Sequence, residues 1–454
     1  MSQGDTAAPR HPLLDDLHWR GLVHQCTDEA VASAAFHAGS AAYIGFDPTA
    51  SSLHVGSLQQ IMLLRRLQLA GQRPIALVGG GTGMIGDPSG KSAERTLQTL
   101  DTIAANAEGI RGQLARFLDF DGHAAARLVN NLDWLGGLGM IEFLRDVGKH
   151  FSVNAMMQRD SVRSRLESRE QGISYTEFSY MLLQAYDFFV LHRDHGCAAQ
   201  LGGSDQWGNI VSGVDLIRRL APASESATGR PAPFGLTSPL VTNRSGSKFG
   251  KTEQGTIWLD PARTSPYALY QFWMAAEDDD VGPFLRRFTL LAREEIEDIE
   301  RAHAADSARR IGQRALATEV VRLAHGEEGL RAAERATSAL FTGDVAALSG
   351  AELRDVFADV PSATVDAGAW AAEGHPLRTL LVGEGMAFAS NGETKRKLQE
   401  GAVRINGHKV DQGVGDRFDP AGLIDGSLAV VRVGRKATWL VHVGHAPSAT
   451  GETL

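Results

Sequence analysis

Residues 47–57 read DPTASSLHVGS and follow the apolar, strand-like run AAYIGF (41–46). That order predicts a Pro-containing turn, then Ser51 or Ser52 capping a helix that carries His54, Gly56 and Ser57 in its first turn. A helix N-terminus presents free amide donors and the positive end of the dipole, which suits a polyphosphate. Alone, His54 would be a simple helix cap, but three further stretches accompany it. In NRSGSKFGKTEQG (243–255), Lys248 and Lys251 flank Phe249-Gly250 in a run of small polar residues. Such a loop can close over a charged substrate, and two lysines can meet phosphate charge, although a solvated surface loop has the same composition. In SYMLLQAYD (179–187), Tyr180, Gln184 and Asp187 share one helical face among apolar neighbours. That polar stripe either satisfies other core groups or reads a small polar ligand. In GGSDQWGN (202–209), Gly202 and Gly203 allow close approach to the backbone and Asp205 could accept from ribose hydroxyls, while a tight turn also explains the glycines.

A fifth stretch, LVGGGTGMIGDPSGKS (77–92), carries two phosphate-binding patterns that fail in context. Gly81, Gly83 and Gly86 fit G-x-G-x-x-G, but a dinucleotide site needs its last glycine to enter a helix that holds the pyrophosphate. Here Asp87-Pro88-Ser89-Gly90 follows, which is turn chemistry and sets a carboxylate where phosphate would sit. A phosphate loop ending in Gly90-Lys91-Ser92 needs glycine at position 85, which is Ile85. The stretch reads as a glycine-rich strand exit.

These residues need a frame. AAYIGF, PIALVGG, ARLVNN and AAQLGG alternate with amphipathic helical segments, the rhythm of a parallel α/β sheet. The reading assigns residues 1–235 to an N-terminal segment and a Rossmann-like catalytic domain, and 236–265 to the KFGKT loop region. Residues 266–345 turn to charged, Ala-rich helical periodicity and read as a helical domain. Residues 346–375 read as a linker with one short helix, and 376–454 as a small α+β module.

Composition bounds the class. The chain has 454 residues, 43% of them hydrophobic and 22% charged, as in an ordinary globular protein. Its N-terminal residues lack the basic start and apolar middle of a signal peptide, and Arg65 and Arg66 interrupt the most apolar helical stretch, so no membrane span is expected. Cys26 and Cys197 are the only cysteines, too few for a disulfide framework, which favours a cytoplasmic location. His192, His195 and Cys197 lack a second cysteine pair and read as packing residues, so no metal ligands are assigned. A net charge of −9 excludes wholesale coating of a polyanion, so a nucleic-acid partner needs a local basic patch.

Together, HVGS, KFGKT, GFDPTA, GDPSGK, EFSYMLLQAYDF and GGSDQWGN resemble the bacterial-type tyrosyl-tRNA synthetases, within the class I aminoacyl-tRNA synthetases. HVGS resembles the class motif HIGH, and KFGKT resembles KMSKS. The resemblance spans nearly the whole chain. It implies activation of L-tyrosine by ATP, with Mg2+ accompanying the nucleotide, transfer of tyrosine to the 3′-terminal adenosine of tRNA(Tyr), and a homodimer. By matching position, Tyr43 and Asp187 would face the substrate phenol, Asp87, Tyr180 and Gln184 its ammonium, and Gln206 its carboxylate. Thr49 and His54 would contact ATP phosphate, Gly45, Gly56, Gly202 and Val241 would line the nucleotide, and Asp205 would take the ribose. Lys91, Arg95, Lys248, Lys251 and Thr252 would meet the leaving pyrophosphate. Ser57 stands where the class motif has its second histidine; it keeps a donor and an acceptor on a shorter arm. The terminal module resembles a small RNA-binding domain, with Lys395, Arg396, Lys397, Arg404 and Lys409 as its basic face. Two rivals fit less of the chain: a nicotinamide oxidoreductase leaves KFGKT and the terminal module unexplained, and a non-catalytic RNA-binding paralogue leaves the phosphate-facing residues without a role.

Overall fold

The computed structural model describes residues 9–87, 98–159, 162–163, 166, 173–221, 231–241, 249–252, 255–342, 344–358, 360–411, 413–434 and 437–444, with backbone alone at 251–252 and 341. Lys91, Arg95 and Lys248 lie outside the described residues, as do the side chains of Lys251 and Thr252. The chain divides into two compact units, one of residues 1–264 and 272–324, the other of 265–271 and 325–454.

The first unit is built on six strands: β1 (Gln25–Cys26), β2 (Ala41–Phe46), β3 (Arg73–Val78), β4 (Arg127–Asn130), β5 (Cys197–Gly203) and β6 (Phe234–Ser238). Their order is β1-β6-β5-β2-β3-β4, with β2 to β6 parallel and β1 antiparallel to β6. Every residue of β5 is buried, and β2 exposes only Gly45. Strands covered on both faces read as continuous apolar runs, which is why the sequence shows them without alternation. From β2 the order runs outward through β3 and β4 on one side and through β5 and β6 on the other. The gap between the carboxyl ends of β2 and β5 is therefore a topological switch point, where doubly wound sheets bind ligands.

The helix Val55–Leu69 leaves this edge, and the helix Tyr175–His195 enters the sheet through Gly196 in the left-handed conformation. His192 Nδ1 lies 2.8 Å from the Cys197 carbonyl oxygen, so this histidine ties the helix end to the start of β5. The glycines after β3 serve close packing: a Cβ on Gly80 would lie 2.2 Å from Asn130 Oδ1. Gly81 precedes a short 3-10 turn, Thr82–Met84, rather than a helix. In the second unit, β9 (Ser362–Asp366), β10 (Val403–Ile405), β11 (His408–Lys409), β12 (Leu428–Val433) and β13 (Ala437–Gly444) form a sheet in the order β11-β10-β12-β13-β9. The stretch read as a linker thus supplies an edge strand paired parallel to β13, together with helices at Gly350–Val356 and Ala367–Ala372.

No helix among the described residues is long and apolar enough to cross a membrane. The long helix Ile311–Thr342 is broken at Gly326, whose φ of 74° and ψ of 179° are not helical. The compact units divide beside this kink, at 324–325, so the helical stretch 266–345 is shared between them.

Candidate active site

A cavity of about 400 Å³ opens at the switch point and is lined by Tyr43, Gly45, Thr49, His54, Gly56, Ser57, Asp87, Tyr180, Gln184, Asp187, Gly202, Asp205 and Gln206. These residues come from four separate stretches of chain, and Leu240 and Trp258 add single residues from two more. Val241 does not reach the wall; its neighbour Leu240 does. The five basic candidates of the terminal module lie in the other unit. Lys395, Arg396 and Lys397 are on the helix Asn391–Gln399, Arg404 is on β10 and Lys409 on β11.

Asp187 forms the most buried polar part of this wall, at 1% exposure. Its Oδ1 accepts from Trp134 Nε1 at 2.7 Å and its Oδ2 from Asn131 Nδ2 at 2.9 Å. Burial pushes its carboxyl up to about 7, while the two donated hydrogen bonds oppose that rise. Tyr43, from β2, is equally buried, and its phenol is held well above the usual range by burial and then by Asp187. The Tyr43 hydroxyl has no hydrogen-bond partner among the described residues. A buried hydroxyl left unmatched costs free energy, so it marks a place suited to a polar ligand group.

Away from this wall, amide side chains form a chain. Gln206 Nε2 donates to Asp87 Oδ2 at 2.7 Å, Gln184 Nε2 donates to Gln206 Oε1 at 3.2 Å, and Asn209 Nδ2 donates to Gln184 Oε1 at 2.9 Å. The Tyr180 hydroxyl lies 3.5 Å from Asp47 Oδ1. Asp47 and Asp87 give this part of the cavity negative charge, which suits an ammonium. Asp47, Asn131 and Trp134 are polar members the sequence reading did not assign. Asp47 sits inside the quoted GFDPTA motif, but Asn131 and Trp134 follow β4 in a stretch with no periodic signal.

The edge expected to face phosphate differs from its sequence expectation in one detail. Neither Ser51 nor Ser52 caps the helix; His54 is the N-cap, its Nδ1 accepting from the Gly56 amide at 3.0 Å. Ser52 instead donates to its neighbour's carbonyl, from Oγ to Leu53 O at 2.7 Å. Gly56 and Ser57 do occupy the first turn. Residues 53–55 are held by a short antiparallel contact with 257–259: Val55 N donates to Ile257 O, Leu259 N donates to Leu53 O, and the His54 and Trp258 rings meet edge-on at 6.2 Å. The segment following KFGKT is thereby docked beside HVGS. Phe249 and Gly250, inside KFGKT, precede the two-stranded ribbon of β7 (Lys251–Thr252) and β8 (Gly255–Thr256).

A family model described as tRNA synthetases class I (W and Y) matches residues 37–342, and one for the tyrosine–tRNA ligase SYY-like C-terminal domain matches residues 352–441. The chain is 50% identical to the tyrosine–tRNA ligase of Bacillus caldotenax over 431 residues, covering 94% of this chain and 99% of that one. It is 48% identical to that of Rhodopirellula baltica over 443 residues, covering 96% and 98%. Among solved structures, a C-terminally truncated mitochondrial tyrosyl-tRNA synthetase of Aspergillus nidulans superposes with a TM-score of 0.65 at 32% identity, covering 72% of this chain and 94% of that one. The chain belongs to the class I tRNA synthetases and, within them, to the tyrosine–tRNA ligases. Members of this family use ATP.

Proposed function

We propose that the protein joins L-tyrosine to ATP, forming tyrosyl-adenylate and pyrophosphate, and then passes the tyrosyl group to the 3′-terminal adenosine of tRNA(Tyr). The observation that carries this reading is the pairing of Asp187 with the unmatched Tyr43 hydroxyl at the buried wall of the cavity. A phenol O–H entering there gains an acceptor in Asp187 and a partner in Tyr43, and an aromatic ring fits the apolar surface around them. Asp87, Tyr180 and Gln184 then take the ammonium and Gln206 the carboxylate. Gly45, Gly56 and Gly202 line the nucleotide, with Asp205 at the ribose.

The chemistry needs no covalent nucleophile on the protein. An amino-acid carboxylate is ionised at neutral pH, so it attacks the α-phosphorus of ATP directly and expels pyrophosphate. The protein supplies alignment and positive charge. Thr49 and His54 meet phosphate at the positive end of the Val55–Leu69 helix dipole, and Lys91, Arg95, Lys248, Lys251 and Thr252 stabilise the departing pyrophosphate. Mg2+ enters with the triphosphate, as small divalent cations do when substrate phosphates supply most of the ligands. Tyrosine-dependent exchange of labelled pyrophosphate into ATP tests the first step, and charging of tRNA(Tyr) tests the second. Absence of exchange would leave a non-catalytic RNA-binding role.

The finer partners belong to the same proposal. The basic residues Lys395, Arg396, Lys397, Arg404 and Lys409 bind tRNA, and the protein works in the cytoplasm. It acts as a homodimer, supported by an unusual run of exposed apolar residues: Met140, Ile141, Val153 and Tyr175 are 72, 76, 57 and 71% exposed. Analytical ultracentrifugation of Ile141→Glu should show a monomer where the unaltered protein sediments as a dimer.

A further inference from the structure

Phe249 lies between the two loop lysines in sequence, and its surroundings are unusual for a residue in a polar loop. Its ring is 7% exposed and is enclosed by four others: Phe272 at 5.5 Å, Trp273 at 5.7 Å, Phe284 at 5.2 Å and Phe288 at 5.6 Å, the last stacked nearly parallel. Phe284 and Phe288 belong to the helix Asp278–Phe288, whose carboxyl end is itself held. Arg20 donates to the carbonyls of Arg286 and Leu291 at 3.1 and 3.0 Å, and Arg66 donates to those of Arg286 and Thr289. Arg66 stands in the last turn of the helix that His54 caps. The aromatic box is thus tied to the helix whose N-terminus forms the phosphate-facing edge.

The backbone beside Phe249 closes this circuit. Gly250 has φ of +84°, and a Cβ there would lie 2.6 Å from Val55 Cγ2 and 3.4 Å from the Gly56 amide nitrogen. Ile257 N donates to Gly250 O at 3.0 Å. Phe249 and Gly250 are therefore fixed against the first turn of the phosphate-facing helix by a side chain on one side and backbone contact on the other.

We propose that Phe249 is a positioning residue: its ring, seated in the box of Phe272, Trp273, Phe284 and Phe288, fixes the stretch between Lys248 and Lys251 against the His54–Gly56 turn. Lys248 precedes Phe249 and Lys251 follows Gly250 in sequence, so the seated ring sets the Phe249–Gly250 step from which both lysines extend. This rests on the proposed role of the lysines at pyrophosphate. A contact that matters only as charge develops raises the rate rather than substrate affinity, and that separates positioning from simple core packing.

The test uses the full chain with Phe249→Leu and Phe249→Tyr, and Ile296→Val as a control. Ile296 is fully buried in the first unit, outside the ring contacts of Phe249. Tyrosine affinity is read by equilibrium dialysis, adenylation at saturating ATP by stopped flow, and stability by thermal melting. Phe249→Leu should lower the saturated adenylation rate about tenfold or more, as loss of a preorganised charge contact does, with tyrosine affinity unchanged. Phe249→Tyr, which keeps the ring, should recover most of that rate. Ile296→Val should lower the melting temperature and leave the rate alone. A normal saturated rate in Phe249→Leu, or equal loss of tyrosine affinity and rate, would overturn the proposal. Absence of adenylation in the unaltered protein would instead refute the functional reading on which it depends.

Discussion

Asp187 faces two demands that pull in opposite directions. Its burial favours the neutral acid, whereas accepting a hydrogen bond from a phenol favours the carboxylate. Asn131 and Trp134 settle part of this conflict by donating to both of its oxygens before any ligand arrives. With a folded-state value of about 7 against 3.8, the folded protein holds a proton that the unfolded chain has released. Stability of the ligand-free protein therefore falls as pH rises from about 3.8 to about 7, and this group takes no more from it above that. Tyrosine binding runs the other way, because the phenol donates to the ionised form. Its affinity should rise between pH 6 and 8, and Asp187→Asn should abolish that slope; a slope unchanged in the variant would place the titrating group elsewhere. Asp187→Ala should raise the tyrosine requirement far more than the ATP requirement, since it removes the acceptor for the phenol, and equal loss for both would count against the assignment. Asn131→Ala should weaken tyrosine binding by about 1–3 kcal/mol, the cost of leaving one buried carboxylate oxygen without its donor, measurable by the same titration. Asp187 itself was legible because it shares a helical face with Tyr180 and Gln184. Asn131 and Trp134 were not, because they come from the end of a different strand and only the sheet order brings them to Asp187.

At the scale of elements, the Val55–Leu69 helix shows how one residue can hold two roles. His54 caps the helix in the structure, and the functional reading gives the same imidazole a phosphate. Asparagine is among the strongest N-caps, so His54→Asn keeps the cap and removes the imidazole. Thermal stability should be preserved while adenylation at saturating ATP falls by about 10²-fold, on the scale of one lost electrostatic contact. A normal rate would leave His54 as a cap and nothing more. The parallel strands were readable from their unbroken apolar runs, and β2 matches AAYIGF residue for residue. Strand β9 was hidden for a different reason: SATVD does alternate, with Ser362, Thr364 and Asp366 exposed between Ala363 and Val365, but five residues that bury only Val365 are too short and too polar to stand out from a linker. The exact cap was hidden too, since Ser51, Ser52 and His54 all have side chains able to accept from a free amide.

At the scale of the whole molecule, the question is whether tyrosine activation and tRNA binding can be separated. No described residue of the second unit lines the cavity. Within that unit, Ala336, Ala339 and Val345 pack with Leu348, Leu353, Phe357, Ile424, Leu428, Val430 and Leu440. A chain ending near Val345 keeps the first three and loses the rest. The cut uncovers Ala336 and Ala339, with Leu340 and Tyr267 beside them; at about 25 cal/mol lost per Å² of apolar area the alanines cost little, and the two larger, already partly exposed side chains carry most of the loss. The truncated chain should therefore exchange pyrophosphate into ATP at a rate close to that of the full chain while charging tRNA(Tyr) poorly. Circular dichroism would confirm that it folds, and parallel exchange and charging assays would read the two steps. Because phosphate contacts release counterions, the full chain's tRNA affinity should fall with added salt more steeply than that of Arg404→Ala or Lys409→Ala, each variant losing about one unit of slope. If the truncated chain charged tRNA as well as the full one, the basic module would be a structural appendage, and the tRNA contacts would have to lie on the catalytic unit.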